Sequence, residues 1–144
     1  MGSKAGDMKI STVARDVGFS SRRTRSRLVR GLKERGIRNL DVLAAIESVP
    51  RHQFVDEALA SRAYEDIPLP IGYQQTISQP FIVALMSEKL IAGSAGQKTV
   101  LEVGTGCGYQ TAILARLYEW VCSIERIRPL FKRAECTLST LQVE

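Results

Sequence analysis

Histidine, tryptophan and cysteine are the scarce residues of this 144-residue chain, numbering one, one and three. A single histidine and scattered cysteines argue against a structural zinc site. Cys107, Cys122 and Cys136 are odd in number and lack C-x-x-C spacing. They fit the reduced thiols of a cytoplasmic protein and not a disulfide framework. No apolar run approaches the roughly 18–20 residues that a membrane-spanning helix needs. Residues 1–10 also lack the apolar stretch of a signal peptide. What is present suffices for one domain, since hydrophobic residues make up 44% of the chain. No internal repeat or low-complexity tract interrupts it.

Acidic residues are nearly missing from one stretch. Between Arg22 and Arg38 eight Lys/Arg residues accompany one acid, Glu34, whereas the whole chain carries +5. The residues outside that segment therefore sum to −2, and the pI of about 9.4 describes one helix-sized piece. Such a piece can contact nucleic acid. It can equally be the solvated face of a helix around Leu28, Val29 and Leu32, and the lack of interleaved aromatics favours this. Just upstream, Thr12 to Ser20 has a weak helix–turn–helix flavour, and residues 1–20 read equally as a poorly ordered, tag-like tail.

From residue 21 the pattern predicts a helical region to about residue 96 and a βαβα unit over 97–144. Asn39 or Asp41 can cap a helix carrying Val42, Leu43, Ile46 and Val49, which Pro50 stops. Phe54 to Ala60 suggests a short helix, and Pro68-Leu-Pro70 with Gly72 an extended, turning segment. Ser78-Gln-Pro-Phe81 opens a helix to about Leu90, with Phe81, Leu85 and Leu90 as candidate core residues. Strands are expected at Thr99–Val103 and Trp120–Ile124, with a helix from Tyr109 to Tyr118 between them. Pro129 suits the start of a final helix.

The most specific stretch is Val100-Leu-Glu-Val-Gly-Thr-Gly-Cys-Gly-Tyr-Gln110. It reads as a buried strand running into a glycine-rich turn and a helix. Gly104, Gly106 and Gly108 let the backbone turn tightly and approach a ligand, and the helix start offers unpaired N–H groups. Turns of this kind bind nucleotide-like cofactors in α/β sheets. The G-x-G-x-G spacing departs from the dinucleotide fingerprint, and no Lys-Ser/Thr makes a phosphate loop. Glu102 inside the motif suits a cofactor with a positively charged end, which points toward S-adenosylmethionine. Glu125, about twenty residues on, can accept both hydroxyls of a ribose or pair with Arg126 or Arg128. Ser78 by itself reads as an N-cap, and His52 as a surface or packing residue.

Ala63 to Phe81 (including Thr76-Ile-Ser-Gln-Pro80), Val100 to Ala112 and Cys122 to Ile127 closely resemble protein-L-isoaspartate O-methyltransferases, and Val49 to Asp56 fits the same family. The resemblance covers roughly residues 30–144. It implies a Rossmann-like S-adenosylmethionine-dependent α/β fold and methyl transfer to isoaspartyl carboxylates of damaged proteins and peptides. It implies Ser78 as the active-site serine, an orienting donor beside the transferred methyl. It also implies cofactor contacts from Thr76, Ile77, Glu102, Gly104, Thr105, Gly106, Gly108 and Glu125, with no metal. Cys107 stands where the family often has serine. The family's later strands and its acidic-glycine segment have no counterpart here. The expectation is thus the N-terminal part of a longer enzyme, with about two parallel strands and weak activity by itself, unless a second polypeptide completes the sheet. A catalytically silent fragment, and a nucleic-acid-binding module or RNA methyltransferase using Arg22–Arg38, are the competing readings.

Overall fold

The computed structural model describes residues 22–94 and 96–143. The readings of residues 1–20, both tail and helix–turn–helix, lie outside them. Helix α1 (Arg22–Glu34) turns Leu28, Val29 and Leu32 inward and is closed by Gly36 at φ 103°. Helix α2 (Leu40–Ser48) is capped by Asn39, whose side chain accepts from the Asp41 and Val42 N–H groups. That decides between the two candidate caps. Val42, Leu43, Ala45 and Ile46 form its buried face.

The single helix expected over Phe54–Ala60 is replaced by two 3₁₀ turns, Arg51–Phe54 and Glu57–Arg62. Phe54 and Val55 are consecutive and both buried. An extended Val55 between the turns (φ −121°, ψ 166°) permits this, where one helix face would not. The extended segment that follows is an antiparallel hairpin of β1 (Leu69–Gly72) and β2 (Gln75–Ile77). Its turn residues Tyr73 and Gln74 both have positive φ, 53° and 58°. The turn lacks the Asn-Gly or Asp-Gly pair that advertises such hairpins. Helix α3 (Pro80–Gly93) begins with proline where no N–H is needed.

Strands β3 (Thr99–Val103) and β4 (Trp120–Ile124) pair in parallel, with Val100 opposite Val121 and Glu102 opposite Ser123. Helix α4 between them spans only Tyr109–Leu114. Residues expected to continue it instead tighten into i→i−3 turns, Arg116 to Ile113 and Leu117 to Leu114. Helix α5 (Arg128–Thr140) has its proline in the first turn, as expected. One hydrophobic cluster joins α1, α2, the hairpin, α3 and α4 to Leu130 of α5.

The β3–β4 sheet has two unlike faces. Val100 and Glu102 point into the protein, whereas Leu101, Val103, Trp120 and Ile124 on the opposite face are between 55% and 80% exposed. Among the described residues each strand of this sheet pairs on one edge only. None of the helices in those residues is long and apolar enough to cross a membrane.

Candidate active site

The hairpin and the glycine loop meet at a cleft. Thr76, Ile77 and Ser78 line one end together with Gly104, Thr105, Gly106 and Cys107. Thr76, Gly104 and Gly106 also border an adjoining cavity of about 260 Å³, which reaches Gln75 on one side and Glu125 on the other. Two segments that are remote in sequence thus face each other across one depression.

Each wall has its own means of support. On the loop side, the Gly104 and Thr105 N–H groups both donate to the Ile124 carbonyl, tying the loop to the end of β4. Gly104 has φ 97° and nothing within 4 Å of where a Cβ would sit, so its backbone stays open to the cleft. Glu125 accepts from the Gly106 N–H at 2.8 Å and the Ile127 N–H at 2.8 Å. Those donors hold its carboxyl below the usual carboxylate range. An ionised carboxylate at the loop suits hydroxyl donors and repels a pyrophosphate. Gly108 and Glu102 are not among the residues that line the cleft. A Cβ on Gly108 would lie 3.2 Å from Leu138 of α5, so this glycine serves helix packing. Glu102 accepts from the Thr111 and Ser123 hydroxyls and is absent from the cleft lining. Burial pushes its carboxyl above the usual range against the lowering effect of those hydroxyls. Thr105 reaches both sides, lining the cleft while its hydroxyl meets Ser123 at 2.6 Å.

On the serine side, Ser78 is exposed and is not the cap of α3. Gln79 occupies the cap position without a side-chain cap bond. The donor of the first turn, the Phe81 N–H, is taken by the Asp66 carboxylate at 2.8 Å, and Gln79 Nε2 donates to the Asp66 carbonyl at 2.8 Å. Ser78 is therefore not spent on capping α3, and it lines the cleft. From behind, buried Arg51 donates to the Ser78 carbonyl at 2.8 Å. Neither Asp66 nor Arg51 was singled out as part of the site from sequence. Their partners lie 15 and 27 residues away, beyond any local pattern.

The basic segment is partly spent on structure. Arg35 pairs with Asp66 and its guanidinium lies 3.7 Å from the Phe81 ring centroid. Arg27 and Arg30 are exposed on the outer face of α1. Among the described residues no group of three or more His, Cys, Asp or Glu side chains is placed to hold a metal.

Known proteins resemble this chain in sequence and in fold. The model of the family described as protein-L-isoaspartate(D-aspartate) O-methyltransferase matches residues 23–144. The chain belongs to that family. Protein-L-isoaspartate O-methyltransferase of Dechloromonas aromatica is 54% identical over 126 residues, covering 88% of this chain and 58% of that protein. The protein of the same name from Methylobacillus flagellatus is 57% identical over 127 residues, covering 88% and 56%. The chain thus spans little more than half the length of these curated relatives. A solved protein-L-isoaspartate O-methyltransferase superposes with a TM-score of 0.73 at 30% identity, covering 83% of this chain and 39% of the other. A crystal structure of a putative family member from Plasmodium falciparum, in complex with S-adenosyl-L-homocysteine, gives 0.68 at 29% identity, covering 81% and 55%. These likenesses establish the Rossmann-like methyltransferase fold for this isoaspartate O-methyltransferase family member.

Proposed function

We propose that this chain carries the glycine-loop, acidic and serine elements of an S-adenosylmethionine-dependent site that methylates L-isoaspartyl carboxylates in damaged proteins. The observation that carries the proposal is the shared cleft, with Thr76 to Ser78 facing Gly104 to Gly106 and Glu125 at the far end. When bound, the cofactor supplies an electrophilic sulfonium methyl. Glu125 would accept the ribose hydroxyls, and its bonds to Gly106 and Ile127 already fix its orientation. Gly104 and Gly106 would let the backbone lie against the cofactor, while Thr76, Ile77 and Thr105 line its path.

An isoaspartyl carboxylate is ionised near neutral pH, so no general base is required. The site must align the carboxylate and exclude water from it. Ser78 can donate to one carboxylate oxygen and leave the other to attack. Among the described residues β3 and β4 form only one side of a sheet crevice, so on this reading the chain alone binds the cofactor weakly and turns over slowly. The test is methyl-ester formation on an isoaspartyl peptide, alongside calorimetric titration with S-adenosylhomocysteine. Ester formation that is lost in Glu125→Ala and impaired in Ser78→Ala supports the reading. Ester formation indifferent to both substitutions would overturn it.

A further inference from the structure

Arg51 is among the largest fully buried side chains of the described residues, with no exposed surface. Its Nε donates to the Ala63 carbonyl at 2.8 Å and its Nη2 to the Ser78 carbonyl at 2.8 Å. The guanidinium carbon lies 4.7 Å from the ring centroid of Tyr109, the first residue of α4 after the glycine loop. Phe54, three residues on in the same 3₁₀ turn, braces that ring edge-on at 5.4 Å. One side chain therefore touches the end of the second 3₁₀ turn, the serine segment and the glycine loop's exit, and its Nη2 also reaches the Ile67 carbonyl at 3.5 Å.

Stability alone is a poor account of this arrangement. Among the described residues the ion pairs are made by other arginines and a lysine, and Arg51 has no carboxylate within salt-bridge distance. Its Nη1 and the Tyr109 hydroxyl are both buried without a well-formed hydrogen bond, and the main electrostatic partner of each residue is the other. A buried cation without a counter-charge costs free energy that an apolar side chain of similar volume would not. What an apolar side chain cannot do is hold two carbonyls in fixed directions while lying on a ring. Arginine's planar fork does so, and lysine's single ammonium cannot reproduce both directions. The atom held is the backbone carbonyl of Ser78, a residue that lines the cleft.

We propose that Arg51 is a positioning residue for methyl transfer, clamping the Ser78 backbone at a set distance from the Tyr109 end of the glycine loop. The proposal rests on the methyltransferase reading of the cleft, and it adds a residue that touches neither cofactor nor substrate. Its hydrogen bonds and its ring contact join the serine segment to the Tyr109 end of the loop, and none of them involves Glu125. Its loss should therefore misalign the methyl acceptor more than it weakens the cofactor.

The experiment compares the chain with Arg51→Lys and Arg51→Met in three measurements. These are amide hydrogen exchange over residues 76–80 with α2 as internal reference, calorimetry with S-adenosylhomocysteine, and steady-state methylation of an isoaspartyl peptide. The expected result is faster exchange confined to 76–80. It is accompanied by a roughly 100-fold fall in kcat with cofactor affinity held within about threefold, as a displacement of about 1 Å at a reacting centre would produce. The proposal is overturned if exchange over 76–80 is unchanged. It is also overturned if protection falls equally in α2, or if kcat and cofactor affinity decline together. Should Arg51→Met fail to fold, Arg51→Lys keeps the charge and reach to one carbonyl and carries the test. A wild-type chain that forms no ester counts against the methyltransferase reading alone, and the exchange measurement then decides whether Arg51 holds the serine segment.

Discussion

The two walls of the cleft are built by different means. The loop wall is local: glycines at positive φ, two backbone bonds to Ile124, and a carboxylate held by the N–H groups of Gly106 and Ile127. The serine wall is assembled at long range, with Asp66 capping α3 and Arg51 gripping Ser78 from the core. Backbone geometry thus fixes where the cofactor is expected, and tertiary side-chain contacts fix where the methyl acceptor is expected. The first kind of wall fails when a side chain is added. The second fails when one is removed.

The sharpest way to break the loop wall is Gly108→Val. It places a β-branched residue at φ 91° with Leu138 already 3.2 Å from the new Cβ. Strain and overpacking together should cost about 2–4 kcal/mol in urea unfolding. Gly104→Ala at φ 97° meets no neighbour, so it should cost only the backbone strain of about 1 kcal/mol. Equal costs would show that packing against α5 is not what Gly108 serves.

Glu125→Gln comes next. It keeps the shape but removes the charge, and should weaken S-adenosylhomocysteine roughly 10- to 100-fold in calorimetry, the worth of a charge-assisted bond. On the opposite wall, Asp66→Ala strips the α3 cap and the partner of Arg35. Urea unfolding should report a loss of about 1 kcal/mol, with cofactor affinity unaffected. A fall in affinity in this variant would mean that the two walls are not independent.

The smallest effect concerns pH. Glu102 has its carboxyl raised by burial, so the folded state retains a proton that the unfolded chain has released. Its contribution is greatest below the ordinary carboxyl value and declines as pH rises through the raised one. Glu102→Gln should therefore gain stability on the wild type as pH climbs from acid toward neutral. Glu125 is shifted the other way. Its contribution is present above the ordinary value and is lost as acid protonates the folded carboxylate. Urea midpoints of both variants across an acidic pH series check the opposed slopes.

This division also explains what the sequence made legible. The loop wall follows residue order: Gly104 and Gly106 lie at the cleft, Glu125 directly follows β4, and β3 and β4 have the expected boundaries. The serine segment was found by family likeness, since Thr76-Ile-Ser has no backbone signature of its own. Its cap was misplaced because Ser before Gln-Pro is a good local cap, and a side chain from residue 66 took the role instead. Glu102 sits within the glycine motif, and that position alone suggests a cofactor contact. Strand alternation sends it to the face of Val100, where hydroxyls from α4 and β4 receive it. The hairpin stayed hidden because Tyr73 and Gln74 are not residues that announce positive φ.

The open face of the β3–β4 sheet has an optical consequence. Its Trp120 is the chain's only tryptophan and is 70% exposed. Intrinsic indole emission therefore comes from that one surface, with no buried ring to mask it. Quenching by a water-soluble iodide ion should be nearly complete, and a shift to shorter wavelength would mark the moment when any apolar surface closes over Leu101, Val103 and Ile124. The chain carries its own reporter on the face that has most to gain from being covered.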